Sequence, residues 1–252
     1  MRALLVISLL VSCGRSSFDL TSDASPPSDA TEAPAADAAI VVGTRTAPSF
    51  VSQVTVGANV NTDHLRATLP DTVAAGHFIV VAVSFDTGGN TVLQSVVDQA
   101  GDSFTLMPYD QHGTGGDGNQ QWIAYGFAQH TGPIQVTATL SAPFALYMDV
   151  RVHELANVDP TDPVDDWATT SGEIGTTPLV TLLTTAPNDL VFGFETTNEG
   201  ITSPGAGFQM LTSSSTEVTQ MGIATAPGAY TMTAVSSGKW TLNTVAFKGA
   251  LQ

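Results

Sequence analysis

The side chains best placed for acid–base chemistry alternate along one predicted strand, where Asp149, Arg151 and His153 are separated by valines. Side chains at every second position of a strand share a face, so these three should lie side by side. Sandwich-fold glycosidases hold two carboxylates about 5–10 Å apart, whereas this face offers one carboxylate, one guanidinium and one imidazole. We therefore interpret it as a polar outer face of a sheet, with Asp149 and Arg151 as neighbours, rather than as a catalytic centre.

The other candidates for catalysis lack the required spacing. His153-Glu154 begins like a zinc-protease motif, but Asn157 stands where the second histidine belongs, and we expect His153 to face solvent or a sheet edge. Glu195 and Glu199 are four residues apart, with Glu199 in a glycine-containing loop. The sequence also lacks a Gly-x-Ser-x-Gly nucleophile motif. We assign no catalytic residue.

Two loops carry enough oxygen atoms to bind calcium, which takes roughly six to eight oxygen ligands. Residues 110–119 offer Asp110, Asp117 and Asn119 among glycines, and residues 159–166 read DPTDPVDD. Glycine-rich loops with Asp and Asn recur in calcium-dependent sugar binders, so the first loop is the candidate metal site. Solvated turns without a metal are the alternative for both loops.

Four aromatic residues are candidates for contacts with a sugar ligand, which an exposed ring could supply. They are Tyr109, Trp122, Tyr125 and Trp167. Packing in the core is the alternative for most of them.

The only cysteine, Cys13, directly follows Ser12 and the apolar run 3–11, which Arg2 precedes. The run is shorter than the roughly 20 apolar residues of a membrane-spanning helix and fits a secretory signal peptide. The tetrapeptide LVSC that ends at Cys13 resembles the lipobox of bacterial lipoproteins. This resemblance implies that residues 1–12 are removed and that Cys13 receives a diacylglycerol thioether and an N-acyl chain. The alternative is an ordinary signal peptide with an incidental cysteine.

Two or three acyl chains on Cys13 would anchor the protein stably in a membrane. The next residue is Gly14 rather than the Asp that favours inner-membrane retention, so the resemblance implies the outer membrane or cell surface. Residues 13–48 are rich in Ala, Ser, Asp and Pro. They can bury too little surface to offset chain ordering, and we predict a disordered tether of roughly 30–35 Å.

The charge balance excludes one class of partner. The 252 residues carry a net charge of −16, with 7 Lys plus Arg against 23 Asp plus Glu. Nucleic-acid binding needs clustered Lys and Arg, so we expect no nucleic-acid partner. A single cysteine cannot form an internal disulfide, so packing and strand ladders must hold the fold.

From Ser49 onward the sequence has a period of two, with many β-branched residues and frequent Gly, Pro, Asn and Asp. Residues 77–85 are almost continuously apolar, which is typical of a central strand covered on both sides. We predict an all-β fold, a two-sheet antiparallel β-sandwich or jelly roll of about 12–14 strands, as a single domain over residues 49–250. We detect no fixed repeat, and residues 156–175 should form a long loop with one short strand around Trp167.

Three stretches together resemble a diffuse group of bacterial and phage surface β-sandwich domains. They are AGHFIVVAV at residues 75–83, VVDQAGDSFTL at 96–106 and VHELANVD at 152–159. The resemblance implies a sandwich and an extracellular location but no shared activity. The turn in the second stretch can be interpreted directly: Asp98 should accept backbone N–H groups and Gly101 should supply a positive φ.

These features predict a non-enzymatic, membrane-anchored extracytoplasmic lipoprotein whose β-sandwich serves binding or adhesion. Its partners would be the membrane, through the lipid, and a glycan, a cell-wall component or an envelope protein. The sequence calls for no cofactor, with calcium as the one ion considered. A glycan-active hydrolase or lyase on a jelly roll, and a passive structural protein of the envelope, are the alternatives.

Overall fold

Short antiparallel strands separated by tight turns make up the folded part of the chain. The computed structural model describes residues 43–59, 61–87, 91–107, 119–142 and 145–252. Within these ranges the chain forms 18 strands and no helix, so the predicted all-β antiparallel sandwich is confirmed. Three strands have only two residues each, which accounts for much of the excess over the expected number.

Four sheets contain most of the strands. In the first wide sheet the order is β2 (Ser49–Ala58), β9 (Ala145–Ala156), β4 (Phe78–Thr87), β7 (Asn119–Phe127) and β6 (Thr105–Leu106). The first narrow sheet contains β3 (His64–Thr68), β8 (Gln135–Leu140) and β5 (Leu93–Asp98). In the second wide sheet the order is β10 (Val164–Gly172), β17 (Trp240–Phe247), β12 (Asp189–Thr197), β15 (Glu217–Ala224) and β14 (Gln209–Ser213). The second narrow sheet contains β11 (Leu179–Thr184), β16 (Gly228–Ser236) and β13 (Ile201–Pro204).

The chain folds the same connectivity twice. With eight strands numbered afresh in each half, both wide sheets have the order 1-8-3-6-5 and both narrow sheets the order 2-7-4. Even the irregularities repeat. The register of strand pairing shifts between Phe50 and Ser52 in β2 and, at the equivalent place, between Val164 and Asp166 in β10. The register also shifts after the first residue of β5 and after the first residue of β13. We call residues 49–156 the first sandwich and residues 164–247 the second sandwich.

Three apolar clusters hold these layers together. One fills the first sandwich, between β4 and β9 on one side and β8 on the other, and a second fills the second sandwich. The third lies between the two wide sheets, where Phe78 packs on Phe247 with ring centroids 4.9 Å apart. Both wide sheets are therefore covered on both faces. Residues 78–85 of β4 are completely buried, as their apolar run predicts.

The two sandwiches are related by an approximate two-fold rotation about an axis along the strands. Contacts across the interface place β2 against β14, β9 against β14 and β15, and β7 against β17. A strand near one edge of the first wide sheet thus has its counterpart near the opposite edge of the second wide sheet. The strand registers then make Phe78 equivalent to Leu190, Arg151 to Asn243, and Gln121 to Glu217.

A short ribbon fixes the beginning of the described chain to its end. Strand β1 (Arg45–Thr46) pairs with β18 (Ala250–Leu251). Nη1 of Arg45 donates to Asp159 at 2.9 Å and to the carbonyl of Gly249 at 2.6 Å. Asp159 belongs to the connection between the sandwiches, so the ribbon is attached where the two halves join.

Two local predictions can be compared with the structure. Asp98 Oδ1 accepts hydrogen bonds from the N–H groups of Ala100 and Asp102 at 2.8 and 3.0 Å, and Gly101 has φ 91°, as predicted. The expected long loop over residues 156–175 contains the nine-residue strand β10, which includes Trp167, pairs with β17 along its length and is longer than the short strand expected there.

Candidate functional site

A buried polar cluster joins the two wide sheets. We call it the ionic cluster, and it consists of Ser84, Tyr147, Asp149, Arg151 and Glu217. Arg151 donates to Asp149 at 2.8 Å and to Glu217 at 2.6 Å. The Tyr147 hydroxyl lies 3.2 Å from Asp149 and 3.3 Å from Glu217, and Ser84 donates to Glu217. Side chains of both sandwiches therefore share one guanidinium.

The three charged side chains of the ionic cluster are buried, and both carboxylates are hydrogen-bonded to the guanidinium. Arg151 has no exposed surface, and its remaining N–H groups reach Thr212 and Ser214 at 3.1 and 3.2 Å. Burial, and then the charge of Asp149, raise the pKa of Glu217 above its usual range, while Arg151 opposes both effects. Removing one member of such a network leaves a buried charge uncompensated. We interpret the cluster as a joint between the sandwiches.

The alternating stretch of β9 lies inside the molecule. The prediction that Asp149, Arg151 and His153 share a face is confirmed, but the prediction that this face is turned outward is wrong, because the second sandwich covers it. The expected exposure of His153 is wrong for the same reason. Its ring lies 5.3 Å from that of Phe192, and burial, followed by the charge of Arg151, lowers its pKa to about 3. His153 is thus a neutral core residue.

Neutral amides stand at the position related to the ionic cluster by the two-fold axis. The Gln121 side chain donates to the main-chain carbonyl of Thr241 at 3.0 Å, and the Asn243 side chain donates to the main-chain carbonyl of Gln121 at 3.4 Å. Gln121 is 3% exposed, and its Oε1 is buried without a hydrogen-bond partner among the described residues. Beside this amide pair is a small notch at the margin of the interface, lined by Met107, Ile123, Trp167, Ala168, Asn243 and Thr244.

A second carboxylate orients an imidazole near the end of the first sandwich. Nδ1 of His77 lies 2.7 Å from Oε1 of Glu154, and Ser52 donates to the other oxygen at 2.6 Å. The His77 side chain is 28% exposed, whereas Glu154 is buried. A carboxylate-oriented imidazole can act as a base, but here the serine contacts the carboxylate rather than the imidazole. The arrangement therefore differs from a catalytic triad.

Glu195 is a buried carboxyl group inside the second sandwich. Neither of its oxygens has a hydrogen-bond partner among the described residues, and burial raises its pKa to about 8. The equivalent position in the first sandwich is Val83. Glu195 is fully buried, whereas Glu199, the other carboxylate of the pair considered from the sequence, is exposed.

The carboxylates of the loop 159–166 have protein partners. Burial disfavours ionisation of Asp159, but hydrogen bonds from Thr161, Arg45 and Asp162 outweigh it and lower its pKa to about 2. Farther along, Asp165 accepts hydrogen bonds from Thr185, which directly follows β11, and Asp166 accepts one from the N–H group of Leu183 in β11. These side chains fasten a loop and the edge of β11, which is a structural use of the acidic sequence.

The structure describes only some of the predicted site residues. Cys13, Tyr109, Asp110 and Asp117 lie outside the described residues, and Asn119 begins β7. Among the ring candidates, Trp122 packs against the core of the first sandwich, and Tyr125 packs between the wide sheets on Phe78 and Phe247. Trp167 is different, because 40% of its surface is exposed.

Sequence reasoning missed the partners across the interface. Glu217 is 66 residues from Arg151, and Gln121 is 122 residues from Asn243. A charged residue at the start of an alternating strand gives no indication of what it will face. The one sequence signal that could have indicated this interface was the placement of Asp149 and Arg151 on one face of a strand. A charged side chain from a second, facing sheet would complete such a cluster.

Comparisons of the chain with protein-family models, with curated proteins and with solved structures gave no match. Among the described residues, no group of three or more His, Cys, Asp or Glu is arranged to hold a metal ion. The same part of the chain contains no helix that is long and apolar enough to cross a membrane.

Proposed function

We propose that this chain is a membrane-anchored extracytoplasmic lipoprotein whose double sandwich binds a target at the bacterial cell envelope. Cys13 would carry the lipid, and the chain between Cys13 and strand β1 would span the distance to the folded part. The target classes are a glycan, a cell-wall component and an envelope protein.

The observation that carries this proposal is the attachment of the chain where the folded part begins. Arg45 is bonded to Asp159 and Gly249, and Asn188 donates to the carbonyl of Arg45 at 2.8 Å. Tension on a tether would therefore reach the junction of both sandwiches rather than peel away one edge strand. The interface between the sandwiches, with its apolar cluster and ionic cluster, would keep the two halves rigid under that load.

The anchor is tested by producing the chain and its Cys13→Ser variant in a bacterial host and separating membranes from soluble fractions. We expect the unaltered chain in the membrane fraction and the variant in the soluble fraction. Membrane association of the variant would contradict lipid anchoring. The binding role is tested with the soluble variant on a glycan array and in pull-downs from envelope extracts. A chain that retains neither glycans nor envelope components would contradict it.

Hydrolysis or lyase activity is supported less well by the same geometry. Asp149 and Glu217 both lie within hydrogen-bond distance of the Tyr147 hydroxyl, and a pair of carboxyl groups is what a glycosidase places on either side of the bond that it cleaves. However, they are 3% and 2% exposed and both are bonded to Arg151. This pair is therefore better explained as part of the joint.

A further inference from the structure

Strand β16 has one edge that is paired along only part of its length. On the side of β11, Ala234 donates its N–H group to the carbonyl of Pro178 at 3.2 Å. Successive residues of a strand direct their main-chain N–H and C=O groups to opposite edges. Ala229 and Thr231 are separated from Ala234 by odd numbers of positions, so their groups point to the other edge, where β13 lies.

The hydrogen-bond partners on that edge end before Thr231. Strand β13 pairs with residues 234–236, and next to it the side-chain amide of Gln220 donates to the carbonyl of Thr233 at 3.0 Å. Beyond this point, the described residues supply no hydrogen-bond partner for the N–H group of Thr231 or the carbonyl of Ala229. Both residues are exposed, so this part of the edge is free to pair.

The first sandwich shows which chemical group fits such an edge. Beside β8, whose strand register corresponds to that of β16, the equivalent groups are the N–H of Gln135 and the carbonyl of Pro133. The amide of Gln99 accepts a hydrogen bond from the first at 2.6 Å and donates one to the second. An amide thus satisfies both edge groups, as the peptide group of an added strand would. The equivalent turn of the second sandwich, residues 206–208, is shorter than residues 98–104 and has no side-chain amide.

A cleft of about 260 Å³ lies beside the free edge. Thr231 borders it, and its other lining includes Phe208, Tyr230, Ile223 and the buried Val191 of the sandwich core. The residues that line it include no Asp, Glu, Lys or Arg. Its volume approaches the roughly 300–1,000 Å³ of small-molecule sites, so it has room for side chains of a short peptide.

We propose that an extended, uncharged segment of an envelope protein adds to the free edge of β16 and places apolar side chains in this cleft. Its peptide groups would pair with Thr231 and Ala229 as the Gln99 amide pairs with the first sandwich. Alternate side chains of the segment would enter the cleft. The net charge of −16 disfavours an acidic segment. This inference rests on the proposed binding function and names the partner class and the site.

The test uses the full chain with the Cys13→Ser change, and the probe is a phage-displayed library of random octapeptides. We expect selected peptides to be rich in β-branched and aromatic residues. One is synthesised, and its affinity is measured by calorimetry. Ile223→Asp, which places a carboxylate in the lining of the cleft, should weaken binding by more than tenfold. The matched control Leu179→Asp changes a 50% exposed residue of β11 that does not line the cleft, and it should bind as the parent does.

The addition of a strand is distinguished from binding through side chains by the main chain of the peptide. Replacing one N–H at a time by N–CH₃ should weaken binding by more than tenfold at alternate positions, where the N–H faces β16, and much less at the positions between. Losses without this alternation would overturn strand addition. Thr231→Pro removes the N–H of the free edge while leaving the ladder to β11, and it should also weaken binding by more than tenfold. Circular dichroism checks its folding, and the methylated peptides decide the question on the parent chain.

Two outcomes separate the site from the broader function. If the selected peptides bind Ile223→Asp as tightly as the parent, the site is wrong while the binding function stands. If the library yields no binder but the chain retains a glycan on an array, strand addition is overturned and the binding function survives.

Discussion

Arg151 and Asn243 occupy equivalent positions on the two sides of one interface, and their surroundings differ in charge. Arg151 meets Asp149 and Glu217, whereas Asn243 meets Gln121. The same backbone arrangement thus accommodates either an ionic network or an amide pair. The ionic side has more hydrogen bonds and is the more enclosed. The comparison indicates that charge was placed where complete pairing is possible, and that the neutral side could remain partly open at Trp167.

The largest effect should come from breaking the ionic side. Arg151→Met should lower the free energy of unfolding by about 3–5 kcal/mol, because Asp149 and Glu217 would remain buried without their cation. The measurement is urea denaturation at neutral pH. The matched change on the other side, Asn243→Leu, should lower it by only about 1–2 kcal/mol. Equal losses would show that charge does not distinguish the two sides.

The interior of the second sandwich contains Glu195 at the position where the first sandwich contains Val83. The contribution of this position to stability should therefore depend on pH in the second sandwich only. Glu195 has a pKa of about 8 in the folded protein because of burial, well above its value in the unfolded chain. Between about pH 4.5 and pH 8 the folded protein therefore keeps a proton on Glu195 that the unfolded chain has already released. The free energy of unfolding falls as pH rises through that window.

Glu195→Val, which copies the first sandwich, should remove this loss and stabilise the protein by about 2–4 kcal/mol at pH 8. Thermal unfolding of both chains from pH 4 to pH 9 measures it, with Glu195→Gln as an uncharged polar control. Parallel pH profiles for the parent and the valine variant would contradict an ionisable Glu195.

The two interiors also differ in how side-chain volume is divided between two neighbouring positions. Gly193 stands where the first sandwich has Val81, and Met232 fills the space that a side chain at Gly193 would need. Gly193→Val should therefore lower stability by about 1–3 kcal/mol through overpacking. Adding Met232→Val, which supplies the smaller residue found at Val136, should recover most of that loss. A double-mutant cycle by denaturation measures the coupling, and additive losses would mean that the two positions do not share one space.

The smallest effect is expected on the outer faces of the narrow sheets. The first carries His64 and Arg66, whereas the second exposes Leu179 and Leu183, which are 50% and 63% accessible. Leu183→Thr should change the free energy of unfolding by less than about 0.5 kcal/mol. It should also shorten retention on a hydrophobic-interaction column. A larger loss of stability would show that this face is covered in solution.

Alternation and apolar runs predicted the strand-rich fold and which neighbouring side chains of a strand share a face. Residues 77–85 predicted a strand covered on both sides, and β4 is such a strand. The burial of Arg151 could not be predicted in the same way, because a strand of alternating polar residues has the same pattern whether water or a second sheet covers it. Only the partner Glu217, distant in sequence, decides between the two.

The repeated topology was also hidden from the sequence. Equivalent positions carry different residues, such as Val83 and Glu195, or Val81 and Gly193, and the loops between equivalent strands differ in length. What the two halves share is strand order, bulge position and burial. These are properties of backbone pairing, and a search for recurring residues does not detect them.

The ribbon of β1 and β18 places Arg45 beside Leu251. A peptide linker could therefore join the two ends, and the chain could be reopened within residues 160–163, between the sandwiches. Such a circular permutant would encode the second sandwich before the first while leaving all four sheets intact. By the same geometry, a reporter fused after Gln252 would lie beside strand β1, where the described part of the chain begins.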